Sequence, residues 1–198
     1  TLLFITRFDK YTKVLGDPIR LSKFVYDYSF TVFPRNAVNN ARKYYISIRD
    51  KYMITKTYDY QDGNTQLEGY LAFHESNVKK PAVLVAHDWS GRREFACKAA
   101  ARIADLGYVG FALDMYGKGV FGTDGDAEKN GALMTPFAQD RTLLRRRITI
   151  ALQAVRQLPQ VDASKIAAMG YCFGGMCVLE LARSGADVLG VISIHGIL

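Results

Sequence analysis

The sequence has 198 residues, of which 49% are hydrophobic and 23% are charged, a balance typical of one globular domain with or without an appendage. Its net charge of +7 is uneven: residues 1–52 hold ten Lys and Arg against four Asp and Glu, whereas residues 53–198 hold sixteen against fifteen. No apolar run reaches the length of a membrane span, and neither the three cysteines nor the three histidines have the spacing of a disulfide framework or a zinc site. We therefore expect a cytoplasmic protein with no membrane partner and no metal.

Residues 1–52 are predicted to be a basic, aromatic-rich extension. Eleven of the 24 aromatic residues lie in this segment, so its composition is not that of a disordered linker. The segment either packs somewhere or does not belong to the natural protein. Its charge is also compatible with nucleic acid, but we favour a solvated extension and expect no nucleic-acid partner.

From Met53 onward the pattern predicts strands that alternate with helices. The first two strands, over 54–60 and 67–73, are predicted to form a hairpin around an Asp-Gly turn signal. Short, uniformly apolar runs predict strands buried on both faces at 82–86, 108–113, 166–169 and 188–194.

Helices are predicted over 94–106, 138–158 and 175–184, with a shorter one over 126–134 inside a glycine-rich loop. In the first of them Phe95, Ala99, Ile103 and Leu106 are predicted to share one face. The arginine run at 145–147 is predicted to lie on a solvated face, with an inward-turned Arg147 as the alternative.

Buried strands that alternate with helices predict an α/β fold, a three-layer sandwich in which helices cover both faces of a mostly parallel sheet. In such folds the reactive groups gather at the carboxyl ends of the strands. Three predicted strand ends carry distinctive residues, namely HDWSG at 87–91, DMYG at 114–117 and GYCFGG at 170–175.

The GYCFGG segment has the pattern of a nucleophile elbow, with Cys172 in the place of the usual serine. A sharp turn from a strand into a helix predicts a strained backbone at Cys172 and small neighbours that let the two elements approach. The free N–H groups of the helix would point at the sulfur and favour the thiolate. The alternative is that Cys172 is a small buried side chain and the glycines serve packing alone.

Together these three segments resemble the dienelactone hydrolase family of α/β-hydrolases, over about residues 53–198. The resemblance implies that Cys172 attacks the carbonyl carbon of an ester or lactone, and that no metal or organic cofactor takes part. It implies an oxyanion hole made by the backbone N–H groups of Trp89 and Phe173. It also implies a carboxylate that holds the resting thiol, here Asp88, which is one methylene shorter than the family's usual Glu. A helix-capping role is the alternative for Asp88.

The resemblance further implies an acid and then a histidine after the nucleophile. Asp187 precedes the strand predicted over 188–194, which puts it roughly 20 Å from the catalytic edge. His195 follows that strand at the correct edge, and we predict that it lines the pocket; a substitute general base is the alternative. The chain thus resembles a member truncated after Leu198, without the last strands and with an apolar sheet edge exposed at 188–194.

The predicted function is hydrolysis of a small-molecule carboxylic ester or lactone by a cysteine thiolate, with this chain alone inactive or nearly so. The alternative is a catalytically incomplete or redox-sensing protein of the same fold that uses Cys172 as a reactive thiol. Loosely placed candidates for a substrate carboxylate are Arg92, Lys118 and Arg141. For the complete protein we favour a monomer.

Overall fold

The computed structural model describes residues 2–6 and 53–196, which form one seven-stranded sheet and four helices. The strands are β1 (Leu2–Thr6), β2 (Met53–Asp62), β3 (Thr65–His74), β4 (Lys80–Ala86), β5 (Val109–Ala112), β6 (Val161–Tyr171) and β7 (Gly190–Ile194). The helices are α1 (Glu94–Asp105), α2 (Ala127–Gln139), α3 (Arg141–Arg156) and α4 (Phe173–Arg183). The division of the chain at residue 52 stays a prediction, because residues 7–52 lie outside the described residues.

The strand order in the sheet is β1-β7-β6-β4-β5-β3-β2. The four central strands, β7, β6, β4 and β5, run parallel because helical crossovers connect them. The outer strands pair antiparallel, so the parallel part is confined to the centre of a mixed sheet. The predicted α/β sandwich is confirmed. The edge expected to be exposed at β7 is instead paired with β1, from Leu2↔Ile194 to Thr6↔Gly190.

The predicted hairpin of β2 and β3 is confirmed, and it is longer than the sequence indicates. The two strands pair from Met53↔His74 to Asp62↔Thr65, which leaves a two-residue turn. Gly63 in this turn has φ +57°, a conformation that glycine adopts without strain.

Helix α1 lies very close to the sheet, and its buried face differs from the predicted one. Its buried residues are Ala96, Ala99, Ala100, Ile103 and Ala104. A Cβ at Gly110 would lie 2.0 Å from the Ala100 carbonyl oxygen, so only small residues fit where helix and strand meet at this point. Phe95 and Leu106 are 46% and 43% exposed, so their predicted place on the buried face is wrong. At 3.6 residues per turn they lie roughly a quarter turn from the alanine face.

Helices α3 and α4 pack against each other on one face of the sheet, opposite α1, so the predicted cover on both faces is present. Helix α2 ends and α3 begins at Asp140, whose side chain accepts hydrogen bonds from the N–H groups of Thr142 and Leu143. Of the arginine run, Arg147 turns into the core and the side chains of Arg145 and Arg146 stay largely exposed.

Candidate active site

The candidate site lies at the topological switch point of the sheet, where the strand order reverses. Strand β4 has β5 on one side and β6 on the other, so the connections from its end and from the end of β6 leave in opposite directions. Open α/β sheets have their binding crevice at this position, beyond the carboxyl ends of the strands. Ala86 pairs with Gly170, so the HDWSG loop after β4 and the elbow after β6 begin on the same rung.

The backbone at Cys172 has the predicted strain. Its φ of +53° and ψ of −114° are sparsely populated for a residue with a side chain. Hydrogen bonds hold the residue from both sides. Its N–H donates to the Ile194 carbonyl at 3.0 Å, and its carbonyl accepts from the N–H groups of Gly175 at 3.0 Å and Met176 at 3.3 Å. The thiol therefore stands between β6 and the first turn of α4, half-buried.

The predicted close approach at the elbow is confirmed by two glycines. A Cβ at Gly170 would lie 2.0 Å from the Gly174 carbonyl oxygen. A Cβ at Gly174 would lie 2.2 Å from the Ala86 carbonyl oxygen. No larger residue fits at either position without a backbone shift, so these glycines set how near α4 comes to β4 and β6.

His87 fixes the peptide that carries one predicted oxyanion donor. The imidazole is buried, its Nε2 accepts from the Met115 N–H at 3.2 Å, and its Nδ1 therefore carries the proton and donates to the Asp88 carbonyl at 2.5 Å. Burial lowers the pKa of His87, which keeps the ring neutral. The carbonyl of Asp88 and the N–H of Trp89 belong to one peptide unit, so the N–H points away from His87.

Other hydrogen bonds hold the rest of the HDWSG loop. The Trp89 carbonyl accepts from the Tyr116 hydroxyl at 3.0 Å, and the Ser90 carbonyl accepts from the Gly122 N–H at 2.9 Å. Within the described part of the chain, the N–H groups of Trp89 and Phe173 have no protein acceptor. The two predicted oxyanion donors thus both lack an acceptor, one in the loop after β4 and the other in the first turn of α4 after β6.

The Asp88 carboxylate bonds mainly inside its own loop. Its Oδ1 accepts from the Ser90 N–H at 2.8 Å and from the Ser90 hydroxyl at 2.6 Å. It does not cap α1, which begins after Arg93 with no side-chain cap. Oδ2 has no donor among the described residues, and a role toward the Cys172 thiol stays a prediction.

The two residues downstream of the nucleophile lie at opposite ends of β7. His195 follows Ile194 at the edge that carries Cys172, is exposed, has φ +42°, and has its ring centroid 6.4 Å from that of Tyr171. Asp187 precedes β7 at the far end, is exposed, and has its carboxylate 3.9 Å from the Arg156 guanidinium. The other two histidines are engaged elsewhere, His87 as above and His74 with Asp105 at 3.4 Å.

The loosely placed cationic candidates are not brought together at Cys172. Arg92 is buried and forms an ion pair with Glu68. Lys118 pairs with Asp59 at 2.6 Å. Arg141 is half-buried, and its Nη1 has no hydrogen-bond partner within residues 2–6 and 53–196. None of these three residues, in its described contacts, defines a carboxylate site.

Tyr116 is the residue of this site that the sequence analysis missed. Its ring stacks on Phe173, with centroids 5.6 Å apart and planes at 21°, and it also contacts His87 at 4.9 Å and Phe137 at 5.7 Å. Its position directly after β5, in the DMYG segment, was the available signal, but the segment alone does not reveal which loop its hydroxyl reaches.

The described residues include no group of three or more His, Cys, Asp and Glu side chains that could hold a metal ion. Over the same ranges no helix combines the length and apolar character that a membrane crossing needs.

A mixed sheet covered by helices on both faces, with a strained cysteine between a strand and a helix at the switch point, defines a protein of the α/β-hydrolase type. The chain belongs to the dienelactone hydrolase family, whose family model matches residues 67–198.

Solved structures and a curated protein are also similar to this chain. A dienelactone hydrolase-like promiscuous phosphotriesterase from metagenomic libraries is 38% identical with TM-score 0.66, over 69% of this chain and 56% of its own. A protein described as a dienelactone hydrolase from Klebsiella pneumoniae subsp. pneumoniae MGH 78578 shares the fold, with 17% identity and TM-score 0.62, over 74% of this chain and 61% of its own. A protein of Caenorhabditis elegans described as uncharacterised is 45% identical over 56 residues, which are 28% of this chain and 35% of that protein.

This chain therefore spans little more than half the length of the solved relatives it matches. The acid and the general base expected after Leu198 stay a prediction.

Proposed function

We propose that this protein hydrolyses carboxylic esters or lactones of small molecules, with Cys172 as the nucleophile. The observation that carries the proposal is the strained turn at Cys172, where β6 ends beside β4, together with the N–H groups of Trp89 and Phe173, which have no protein acceptor among the described residues. Membership of the dienelactone hydrolase family supports it. The inert alternative, a cysteine that only fills space, gives no reason for the strained backbone at Cys172.

The proposed first step is attack of the Cys172 thiolate sulfur on the carbonyl carbon. As the S–C bond forms, the π electrons of the carbonyl move to its oxygen, and the two N–H groups stabilise the resulting oxyanion. Collapse restores the carbonyl and breaks the bond to the leaving oxygen, which takes a proton from solvent. Water then cleaves the thioester, releasing the acid and the free thiol.

Two further roles belong to the same proposal. Asp88 holds the thiol in the resting state through Oδ2, the oxygen that its own loop does not use. His195 lines the pocket beside the nucleophile, because Ile194, the residue before it, accepts the hydrogen bond from the Cys172 N–H. Substituting His195 with Gln leaves the rate of the first step within about threefold if it only lines the pocket, and lowers it about 10²-fold or more if it is the base.

The test is acetylation of the protein by p-nitrophenyl acetate. We expect one p-nitrophenolate released per reactive chain, with one acetyl group on the peptide that contains Cys172. Cys172→Ala should lose both signals. Cys97→Ala is the matched control, because Cys97 is also half-buried but is bonded to Arg92 away from the elbow. Release that survives in Cys172→Ala, or an acetyl group on Cys97, would reject the proposed nucleophile.

Phosphotriesters are the second candidate class, because the 38% identical relative is named a promiscuous phosphotriesterase. Attack on phosphorus would use the same thiol and the same two N–H groups. The same pair of variants tests it with a p-nitrophenyl phosphotriester. Absence of p-nitrophenolate release from a protein that is acetylated normally would remove this class.

A further inference from the structure

One side chain, Tyr116, touches both residues that supply the proposed oxyanion donors. Its ring lies on Phe173, with centroids 5.6 Å apart and planes nearly parallel. Its hydroxyl donates to the Trp89 carbonyl at 3.0 Å. The two donors come from the ends of β6 and β4, and Tyr116 comes from the end of a third strand, β5. Its side chain is therefore a direct link between the loop after β4 and the first turn of α4.

Tyr116 is itself held in place. Its N–H donates to Asp114 Oδ1 at 2.9 Å, which fixes the backbone directly after β5. Its ring lies against Phe137 at 5.7 Å on α2 and against the buried, neutral His87 at 4.9 Å. A side chain fixed at its backbone, ring and hydroxyl can transmit position between the elements it touches.

The direction of the hydrogen bond is fixed as well. The Trp89 carbonyl can only accept, so the phenol must donate. Burial raises the pKa of the Tyr116 phenol. The phenol keeps its proton over the whole physiological range, and the contact persists with it.

We propose that Tyr116 is the positioning residue of the oxyanion hole, setting the separation of the Trp89 and Phe173 N–H groups; this rests on the proposed function. Two donors stabilise an oxyanion only when both lie at hydrogen-bond distance from the position that the oxygen takes in the transition state. Loss of the hydroxyl releases the Trp89 carbonyl, while His87 still holds the peptide that carries the Trp89 N–H and the ring still covers Phe173. The effect should appear in reactions that develop an oxyanion and be absent from reactions that do not.

The test compares two reactions of the same sulfur in the full protein. Acetylation of Cys172 by p-nitrophenyl acetate passes through an oxyanion, whereas alkylation by iodoacetamide displaces iodide without one. In Tyr116→Phe we expect the acetylation rate to fall about tenfold, less than the 10²–10³-fold that removal of a donor costs, with alkylation unchanged within about twofold. Tyr116→Leu, which also removes the ring from Phe173, should lower acetylation further.

Tyr58→Phe is the matched control, because Tyr58 is another partly buried tyrosine in an aromatic cluster, packed on Phe111 far along β2. It should change neither rate. If Tyr116→Phe slows both reactions equally, the residue acts on the thiol and the inference is wrong; unchanged acetylation overturns it too. If Cys172→Ala abolishes acetylation while Tyr116→Phe leaves it intact, the proposed function stands and only this inference fails. Acetylation that survives in Cys172→Ala overturns both.

Discussion

Replacing Arg147 with Met should remove much of the stability of the domain. The guanidinium is buried, with Nε 2.7 Å from Asp62 Oδ2 and Nη1 2.7 Å from the Met115 carbonyl. It also lies 5.5 Å from the ring centroid of Phe137. It thereby ties the β2–β3 turn, the segment after β5 and helix α2 to α3. Methionine keeps the apolar stem and removes every polar contact.

The expected loss of unfolding free energy follows from the buried groups that lose their partner when Arg147 is replaced. Removing one partner of a buried ion pair costs about 3–5 kcal/mol, because the other charge stays buried. Here Asp62 keeps Arg146, whose Nε lies 3.1 Å from Oδ1, so the ion-pair loss falls at or below the lower end of that range. The Met115 carbonyl loses its donor, which costs about 1–3 kcal/mol more. We expect a total of about 4 kcal/mol, a large share of the 5–15 kcal/mol typical of a domain.

Urea unfolding followed by circular dichroism measures this loss. With a slope of about 2 kcal/mol per molar, the midpoint should drop by about 2 M. Arg146→Met is the matched control: it removes a neighbouring, 59% exposed side chain and should cost at most about 1 kcal/mol. A double variant with Asp62→Asn should cost less than the sum of the two single variants, because they share one contact.

The acidic side of the curve of stability against pH, here called the acid limb, gives a second measurement of the Asp62–Arg147 ion pair. Burial alone would raise the pKa of Asp62, but the hydrogen bonds and charges of Arg147 and, after it, Arg146 outweigh burial and leave that pKa below its usual value. The ionised Asp62 carboxylate therefore contributes its full stabilisation of the folded state above its unfolded pKa of about 4. That stabilisation is lost as pH falls through the lower pKa of the folded state. The reasoning fails if Arg147→Met costs no more than Arg146→Met, or if its acid limb is as steep as that of the wild type.

Two further predictions concern the site. Burial lowers the pKa of His87, so near pH 6.5 the unfolded chain binds a proton at this residue and the folded chain does not. The free energy of unfolding should therefore fall as pH drops below about 6.5. His87→Gln should flatten this part of the pH–stability curve; an unchanged slope would assign the effect to other groups. Gly174→Ala places a Cβ 2.2 Å from the Ala86 carbonyl oxygen and should cost about 3 kcal/mol in urea unfolding while slowing acetylation of Cys172. Gly131→Ala, with no atom within 4 Å of its new Cβ, is the control and should be neutral or slightly stabilising; equal effects of the two would contradict the close approach.

The features that the sequence predicted well are those with a local cause. The Asp-Gly turn signal predicted the β2–β3 hairpin, and the uniformly apolar runs predicted the central strands. The GYCFGG segment predicted the strained turn at Cys172, because its glycines and the change from a strand pattern to a helix pattern lie within a few residues of one another. Each of these signals is contained in a short window of sequence.

The features that the sequence could not give depend on which distant segments meet. The bond from Tyr116 to Trp89 joins residues 27 positions apart, and that from Met115 to His87 joins residues 28 apart. Both require that β4 and β5 are neighbours, in register. The misplaced face of α1 has a similar origin, since the periodicity of Phe95 and Leu106 does not reveal that the helix lies too close to Gly110 for large side chains.

The pairing of Ala86 with Gly170 also has a consequence for how the protein folds. Three helices and a strand lie between these two residues in the chain, so their rung closes a long loop, which is slow and entropically costly. Until it closes, the HDWSG loop and the elbow are separate segments, and Cys172 is an ordinary thiol. The rate at which a refolding sample gains reactivity toward p-nitrophenyl acetate would therefore report the completion of the central sheet rather than the appearance of helices. Under the proposed function, a newly made chain would gain a reactive Cys172 only when this pairing is complete.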